Sequence, residues 1–254
     1  MTQPAVVVEG LSHSYGDKAV LCDIGFQVQW GEICGYLGPN GAGKSTTLKA
    51  IVGLLRPSAG TVRIDGKDPA SDDLSARAML GYVSHEGGLY QLLSVREHLK
   101  LVADLHELDE EVSSKRTDEL VALFEMTAFL GKRIDSLSRG QRQRVALCCA
   151  LIHGPRVLLL DEPLTGLDVS AARALRKMLR EMADDGCAIL YCSHILDVVE
   201  RVCDRAIILS DGRIVADAPT SQLVQQAEDK TLESVFHALT RTDKIEELKG
   251  AFDA

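Results

Sequence analysis

The sequence predicts an α/β fold in which a mostly parallel β-sheet is covered by helices on both faces. The length of 254 residues suits one domain with its own core. Apolar residues at 46% and charged residues at 26% are typical of a soluble globular protein and indicate neither a disordered nor a fibrous chain. In the second half of the chain, short apolar runs alternate with helical patterns, which favours a parallel sheet with helical crossovers.

The first third of the chain has the pattern of strands and turns. The expected strands are residues 5–8, 21–28, 33–37 and 61–64, separated by turn residues at 15–17 and 65–66. The helical spacing of apolar residues predicts a helix over residues 44–55, which we expect Arg56-Pro57 to end. A strand, a glycine-rich loop and a helix therefore follow one another.

The middle of the chain has the pattern of a helical insertion. A capping box of Ser94 and Glu97 begins a helix over residues 94–108, and a second helix is expected over 110–124. The elements expected after it are a helix at 141–153, a strand at 157–160, a helix at 171–183, a strand at 188–191, a helix at 195–202 and a hairpin at 206–216 that turns at Asp211-Gly212. After Pro219 the chain is charged and helical, and the apolar stripe over 231–239 is expected to dock.

Charge and composition exclude several classes of protein. The formal charge of 28 − 37 = −9 argues against a protein that coats nucleic acid through bulk charge. No apolar run approaches the ~20 residues that cross a bilayer, and the amino terminus lacks the pattern of a secretory signal, so we expect a cytosolic protein. The seven cysteines form no C-x-x-C pair, which favours reduced, buried thiols.

Residues 38–45 fit the phosphate-loop pattern G-x-x-x-x-G-K-[ST]. In such a loop backbone N–H groups cradle phosphates, Lys44 reaches the β/γ oxygens and Ser45 offers its hydroxyl to Mg²⁺. The loop follows an apolar strand and opens a helix, whose N-terminus adds the positive end of its dipole. This context favours a nucleotide site over an ordinary glycine turn.

Two adjacent carboxylates, Asp161 and Glu162, follow the apolar run at 157–160. Ligands of open parallel sheets bind at the carboxyl ends of strands. Because side chains alternate along an extended chain, we expect the two carboxylates to point to opposite sides and to have different roles. Asp161 would hold Mg²⁺, and Glu162 would be the base for an attacking water. The alternative is that one of them only caps the following turn.

His194 also follows an apolar strand, at 188–191. A lone histidine is more often structural than catalytic. Here three strands would deliver Lys44, the carboxylate pair and His194 to one sheet edge, where an imidazole can sense a γ-phosphate.

The segment 137–144 is rich in basic residues and, taken alone, fits a solvated face or a patch for nucleic acid. The helix expected from 141 to 153 is about 20 Å long at 1.5 Å per residue. If that helix leads back to the Asp161 strand, Ser138 and Gly140 lie far from the phosphates of their own chain. A helix N-terminus with serine and glycine suits a γ-phosphate, so we infer two chains that sandwich two nucleotides.

These motifs resemble the nucleotide-binding subunit of ATP-binding cassette (ABC) transporters over nearly the whole chain. The matching positions are Lys44 and Ser45 for the Walker A motif, residues 138–141 for the signature motif, Asp161 and Glu162 for Walker B and the catalytic glutamate, 166–168 for the D-loop and His194 for the switch histidine. Tyr15 falls where that family stacks an aromatic ring on adenine; the alternative is a turn tyrosine.

The resemblance implies a P-loop NTPase fold of the RecA-like type, with an antiparallel β subdomain and a helical insertion. It implies one ABC ATPase domain over residues 1–254, in which about 1–84 and 154–218 form the nucleotide-binding core with the β subdomain, 85–153 the helical subdomain and 219–254 a helical tail. The activity implied is ATP hydrolysis with Mg²⁺, in a dimer that closes on two Mg-ATP and reopens afterwards.

The resemblance also assigns residues to roles. Those expected to bind ATP are Tyr15, Gly38, Pro39, Asn40, Gly41, Ala42, Gly43, Lys44, Ser45 and Thr46. Those expected to act on the partner's nucleotide are Ser138, Arg139, Gly140 and Gln141, with Asp168 in the D-loop. The catalytic residues would be Lys44, Glu162 and His194, and the metal-binding residues Ser45 and Asp161.

The implied partners are a second copy of the chain, or a related ATPase subunit, and an integral-membrane permease, with no nucleic acid. The chain would then sit on the cytoplasmic face of the cell membrane through the permease. The segments 205–209 and 231–236 resemble subunits that work with export permeases of the ABC-2 type.

Two positions depart from the family pattern. His85 stands where the family has a glutamine that touches Mg²⁺ and the attacking water, and imidazole is a poorer Mg²⁺ ligand than a carboxamide oxygen. We therefore expect slower or more pH-sensitive hydrolysis, the alternative being that either residue serves. Arg139 replaces a glycine of the signature motif, and we expect little loss because Ser138 and Gly140 are kept.

Two other functions compete with the transporter subunit. A soluble ATPase of the same fold could act in cofactor assembly, DNA repair or translation, although the chain has no zinc-type cysteines and only one nucleotide-binding unit. A small-molecule kinase built on the same phosphate loop would not need residues 138–141.

Overall fold

The computed structural model describes residues 3–71, 74–84, 88–226 and 230–240. In chain order the elements are β1 (Val6–Tyr15), β2 (Lys18–Val28), β3 (Ile33–Leu37), α1 (Lys44–Ile51), β4 (Ala59–Ile64), α2 (Ser75–Ala78), β5 (Leu80–Val83), α3 (Val95–Leu105), α4 (Glu110–Leu123), α5 (Arg139–Leu151), β6 (Val157–Asp161), α6 (Val169–Asp184), β7 (Ala188–Cys192), α7 (Leu196–Val202), β8 (Arg205–Ser210), β9 (Arg213–Pro219), α8 (Thr220–Gln226) and α9 (Leu232–Thr240). Short 3₁₀ turns lie at Thr127–Phe129 and Ile134–Ser136.

The described residues form two sheets. The larger has the order β5-β6-β7-β3-β8-β9, and all its neighbouring strands run parallel except β8 and β9. The smaller is antiparallel, with the order β2-β1-β4. The predicted α/β fold, mostly parallel with an antiparallel part, is confirmed.

The larger sheet is buried on both faces. All five residues of β6 are buried, as are those of β3 and β7. Leu158 and Leu160 belong to a core shared with α3, α5, α6 and α7, whereas Val157 and Leu159 belong to a core shared with α1 and the smaller sheet. This alternation is why the strand reads as a continuous apolar run.

Helix α1 is shorter than predicted, because it ends at Ile51 rather than at residue 55. Gly53, with φ +75°, ends it, and a Cβ there would lie 2.4 Å from the carbonyl oxygen of Pro69. The left-handed backbone of a glycine closes the last turn. Pro57 therefore lies well beyond the end of the helix, and the prediction was wrong at this point.

Strand β5 was not predicted. It has only four residues, and Gly81 interrupts its apolar pattern. A Cβ at Gly81 would lie 2.3 Å from the carbonyl oxygen of Ala150 in α5, so the helix packs too closely on the strand for any side chain.

The last described segment docks as predicted. Helix α9 contacts α7, α8 and β8, and Leu232 at its start is fully buried. Val235 and Phe236 pack against the same core. Among the described residues, no helix is both long enough and apolar enough to cross a bilayer. All seven cysteines lie in the described ranges as free thiols.

Candidate nucleotide site

The candidate residues of three strands meet around one cavity of about 1030 Å³. The loop 38–45 follows β3, Asp161 ends β6 and is followed by Glu162, and His194 comes two residues after β7. Because β6, β7 and β3 are parallel neighbours, their carboxyl ends lie at one edge of the sheet. Other walls come from Tyr15, Lys18, Ala19, Val20, Asp211, Gly212 and Phe236.

The backbone of the loop takes conformations that favour glycine. Gly41 has φ +85° and Gly43 has φ +110°. A Cβ at Gly43 would lie 2.5 Å from Cδ2 of Leu21 and 3.0 Å from the carbonyl oxygen of Val20. Gly43 thus lets the start of α1 approach β2 closely, with the first N–H groups of α1 next to the cavity.

Lys44 is held inside the loop. Its Nζ donates to the carbonyl oxygens of Gly38, at 2.6 Å, and of Pro39, at 3.1 Å. Thr47 donates to the Gly43 carbonyl at 3.1 Å, and Tyr36 of β3 lies 3.1 Å from the same hydroxyl. The two bonds of Lys44 hold its positive charge at the N-terminus of α1, where the helix dipole is also positive.

Ser45 and Asp161 form a pair of oxygen donors. The Ser45 hydroxyl donates to Oδ2 of Asp161 at 2.8 Å, and Asp161 is 3% exposed. A hydroxyl and a carboxylate are oxygen ligands of the kind that Mg²⁺ prefers, so the residues present fit this cation together with phosphate oxygens.

Glu162 lies beside the loop that follows β7. Its carboxylate accepts a hydrogen bond from the Ser193 hydroxyl at 3.3 Å and lies 2.8 Å from Nδ1 of His194. The side chain of Glu162 is 13% exposed, whereas that of His194 is 67% exposed. Glu162 is therefore a largely shielded carboxylate next to an accessible imidazole.

The carboxylates of Asp161 and Glu162 contact different partners. The cause is a turn of the backbone and not the alternation of side chains along a strand. Glu162 has φ +53°, a left-handed conformation uncommon for a side chain with a Cβ, and its N–H donates to the Cys192 carbonyl at 2.9 Å. The extended geometry assumed in the prediction ends at Asp161, and a turn of the backbone places Glu162.

Ser138 caps α5, which begins at Arg139 rather than at Gln141. Its hydroxyl accepts from the N–H of Gln141 at 3.3 Å, and its own N–H donates to the Gln141 side chain at 2.9 Å. Ser138 and Arg139 are exposed, and among the described residues none of 138–141 lines the cavity. The four residues therefore lie outside the cavity that holds Lys44 and Asp161.

The turn 138–141 packs on the loop after Glu162. A Cβ at Gly140 would lie 2.1 Å from the carbonyl oxygen of Gly166, which has φ +77°. Gln143 donates to the Pro163 carbonyl at 3.2 Å. The turn at 138–141 and the loop that follows Glu162 are thus in contact within one chain.

Asp168 caps α6 and pairs with Arg144, a contact that the sequence did not reveal. Its carboxylate accepts from the N–H of Ala171 at 2.9 Å and forms an ion pair with Arg144. The bond from Ala171, and then the charge of Arg144, hold the pKa of Asp168 below its usual range. Arg144 also donates to the Phe124 carbonyl at 2.9 Å, so it joins α6, α5 and the end of α4.

Tyr15 lies at the rim of the cavity, where a base-stacking ring is expected. Tyr15 is 52% exposed, and its ring packs edge-on against that of His13 with the ring centroids 4.7 Å apart. His85 lies outside the described residues.

A second cavity, of about 340 Å³, lies between the larger sheet and the helical insertion. Lys49 and Leu54 line one side, and His98 and Cys149 line the other. Leu54 is 72% exposed, and Tyr90 packs edge-on against His98 at 5.7 Å while remaining exposed. We refer to this cavity as the insertion groove.

Comparison with protein families shows that residues 21–165 match the model of the ABC transporter family. The chain is 35% identical over 234 residues to the uncharacterized ABC transporter ATP-binding protein YdbJ of Bacillus subtilis, covering 92% of this chain and 75% of that protein. It is 35% identical over 221 residues to the Nod factor export ATP-binding protein I of Neorhizobium galegae, covering 87% and 64%.

Solved structures show the same similarity. An ATP-binding subunit of an ABC transporter superposes with a TM-score of 0.88 at 34% identity, covering 93% of this chain and all of that one. The dimeric post-hydrolysis state of the ATP-binding cassette MJ0796, bound to ADP and Pi, superposes with a TM-score of 0.78 at 28% identity, covering 85% and 98%.

Proposed function

The chain belongs to the ABC transporter family as an ATP-binding subunit with ATPase activity, and from that membership we propose how its residues bind and hydrolyse ATP and which partners it drives. The observation that carries the proposal is the meeting of Lys44, the Ser45–Asp161 pair and the Glu162–His194 pair around one cavity.

The loop 38–45 binds the phosphates of ATP, and Tyr15 stacks on the base. The N–H groups at the start of α1 point at the phosphates, and Lys44 exchanges its bonds to the Gly38 and Pro39 carbonyls for bonds to phosphate oxygens. Thr46 extends the cradle into the first turn of the helix.

Ser45 and Asp161 hold Mg²⁺. When bound, the cation would neutralise negative charge on the β- and γ-phosphate oxygens while the γ-phosphoryl group is transferred to water. Glu162 accepts a proton from the attacking water, since it is a shielded carboxylate at the phosphate end of the cavity. His194, whose Nδ1 lies 2.8 Å from the Glu162 carboxylate, contacts the γ-phosphate and keeps Glu162 oriented.

Two copies of the chain, or this chain and a related subunit, complete the site. Ser138 and Gly140 at the start of α5 are exposed or half-buried and lie away from the cavity of their own chain. A partner's γ-phosphate therefore meets this helix N-terminus, where Ser138, Arg139, Gly140 and Gln141 face it and Asp168 lies at the adjoining loop. ATP closes the dimer, and hydrolysis reopens it.

The transporter partner is an integral-membrane permease that docks in the insertion groove. The groove combines exposed apolar surface at Leu54 with the buried His98, and the exposed Tyr90 packs on His98 beside it. The groove joins the sheet that carries the ATP site to the helical insertion. A segment of the permease that is bound in the groove contacts both the sheet and the helical insertion, so it moves when either of them moves. The chain is then peripheral on the cytoplasmic face of the membrane. The export subunit among its relatives supports an exporter, and the resemblance of segments 205–209 and 231–236 makes the ABC-2 type our choice.

Affinity purification of the tagged chain from gently solubilised membranes tests this function, with ATPase assays on the purified complex. We expect a polytopic permease to copurify, and Lys44→Ala to lose nucleotide binding while retaining the permease. A chain that stays with cytosolic partners alone would contradict the transporter role and leave a soluble ATPase. Transfer of phosphate to a small acceptor would indicate a kinase instead.

A further inference from the structure

Phe236, near the end of the described chain, lines the same cavity as Lys44 and His194. It belongs to α9, the helix that packs on α7 and β8. Its ring is half-buried, and part of it packs against the core beneath these elements. An apolar ring is thus placed in the wall of the cavity that contains the phosphate loop.

The position of α9 is fixed at its start. Leu232 is fully buried, and its N–H donates to Oε2 of Glu200 in α7 at 2.9 Å. One helical turn further on, Phe236 lies on the same face of α9 as Leu232, because residues four apart share a face. Anchoring Leu232 on α7 therefore also fixes Phe236 against the cavity.

Helix α7 leads directly to the catalytic carboxylate. Ile195, just before α7, donates its N–H to the Ser193 hydroxyl at 3.1 Å, and this hydroxyl donates to Glu162 at 3.3 Å. Ser193 is buried and bonded to Ile195, the residue that precedes α7, so a shift of α7 would also move Ser193. A continuous set of contacts therefore runs from α9 through α7 to Glu162.

We propose that Phe236 is a positioning residue for ATP hydrolysis: its ring, held by α9, keeps α7 and the Ser193–His194 loop in the place where they orient Glu162. The inference rests on the proposed function, since it assumes that Glu162 acts on water at this cavity. It adds a role in hydrolysis for α9, whose segment 231–236 the family resemblance linked only to the type of permease.

The test is a comparison of steady-state ATPase rates and nucleotide affinity in Phe236→Ala, Phe236→Leu and the wild type. We expect Phe236→Ala to lower kcat about 10-fold or more, because small displacements of catalytic groups are costly, with ATP affinity little changed. Phe236→Leu, which keeps apolar bulk, should retain most of the wild-type kcat. The matched control is Leu239→Ala, which removes an apolar side chain of the same helix that is 40% exposed and does not line the cavity.

Glu200→Ala gives a second reading if Phe236→Ala fails to fold. It removes the acceptor for the N–H of Leu232, and we expect it to lower kcat in the same direction without loss of ATP binding. An unchanged kcat in Phe236→Ala, an equal loss in Leu239→Ala, or a loss confined to ATP affinity would each overturn the proposal. Two other results would contradict the proposed function itself and not only the role of Phe236. These are the absence of ATP hydrolysis by the wild type and a full rate of hydrolysis in Glu162→Gln.

Discussion

Nδ1 of His194 lies 2.8 Å from Oε2 of Glu162, and this contact joins the residues that follow two neighbouring strands, β6 and β7. The N–H of Glu162 reinforces the junction by donating to the carbonyl of Cys192, the last residue of β7. Glu162 is thus held through both its backbone and its side chain by the chain segment that carries His194.

Glu162→Gln should lower kcat for ATP hydrolysis about 10²–10⁴-fold, since a carboxamide cannot accept a proton from water. ATP binding should be retained, and ATP-bound dimer should accumulate. Phosphate release and size-exclusion chromatography with ATP measure the two effects. Glu181→Gln, an exposed carboxylate on α6, serves as the control. A monomer in ATP, or a rate near that of the wild type, would contradict the assigned role.

Asp161→Asn should raise the Mg²⁺ concentration needed for half-maximal ATPase activity, roughly 10–100-fold by comparison with other perturbed metal sites. Removing the charge next to Ser45 weakens the oxygen pair that we assign to the cation. Titration of activity with Mg²⁺ measures the shift, and Ser45→Ala should move it in the same direction. Equal Mg²⁺ requirements in all three proteins would rule out this pair as the metal site.

Gly140→Ala should destabilise the protein by about 1–3 kcal/mol, the usual range for an overpacked position. The added methyl would lie 2.1 Å from the Gly166 carbonyl oxygen, a backbone atom that cannot turn aside as a side chain can. Gly131→Ala is the matched control because a Cβ added at Gly131 would have no atom within 4 Å outside the adjacent residues. Urea unfolding of both variants checks the prediction, which fails if they are equally stable.

The histidine pair beneath the helical insertion should make stability depend on pH. His153 stacks on His106 at 3.8 Å, and its Nε2 lies 3.0 Å from the Leu80 carbonyl. Burial, then the neighbouring His106 and Arg116, lower the pKa of His153 from 6.5 to about 4. The unfolded chain therefore binds more protons than the folded one between these values, and the free energy of unfolding falls as pH drops from 6.5 to about 4.

Replacing His153 should flatten that dependence. One proton contributes at most about 1.4 kcal/mol per pH unit, so His153→Gln should show a shallower slope than the wild type across this range. His237→Gln, which replaces an exposed histidine on α9, is the control for the loss of an imidazole. Chemical denaturation at several pH values measures the difference, and parallel curves for His153→Gln and the wild type would contradict it.

His85→Gln should speed hydrolysis or reduce its pH sensitivity, because a carboxamide oxygen is the better Mg²⁺ ligand and does not titrate near neutral pH. The measurements are the pH–rate profile and the Mg²⁺ dependence of the ATPase. An unchanged rate, profile and Mg²⁺ requirement would show that either residue serves at this position.

Motifs tied to strand ends could be predicted from the sequence because parallel strands bring their carboxyl ends together. Lys44, Asp161, Glu162 and His194 therefore share one cavity, as expected. The turn that places Glu162 could not be predicted, since its φ of +53° depends on the bond between its N–H and Cys192, a residue of another strand.

Contacts between distant segments were missed for the same reason. Arg144 reads as one more charge in a basic run, and only the fold brings it to Asp168 and the Phe124 carbonyl. The apolar stripe of α9 predicted docking, but nothing in it indicated that Phe236 reaches the cavity. Strand β5 was hidden because Gly81, required by the approach of α5, breaks its short apolar pattern.

The strand order also determines when the phosphate loop can form during synthesis. Within the part of the chain that the structure describes, β3, the strand that presents the loop, pairs with β7 and β8 and with no other strand: Ile33 lies opposite Ile189, and Cys34 lies opposite Arg205. A ribosome must therefore complete most of the chain before this apolar strand finds either neighbour, and such distant pairing folds slowly. Until then β3 is an unpaired, aggregation-prone strand, so nascent chains that end before β7 should be substrates for chaperones.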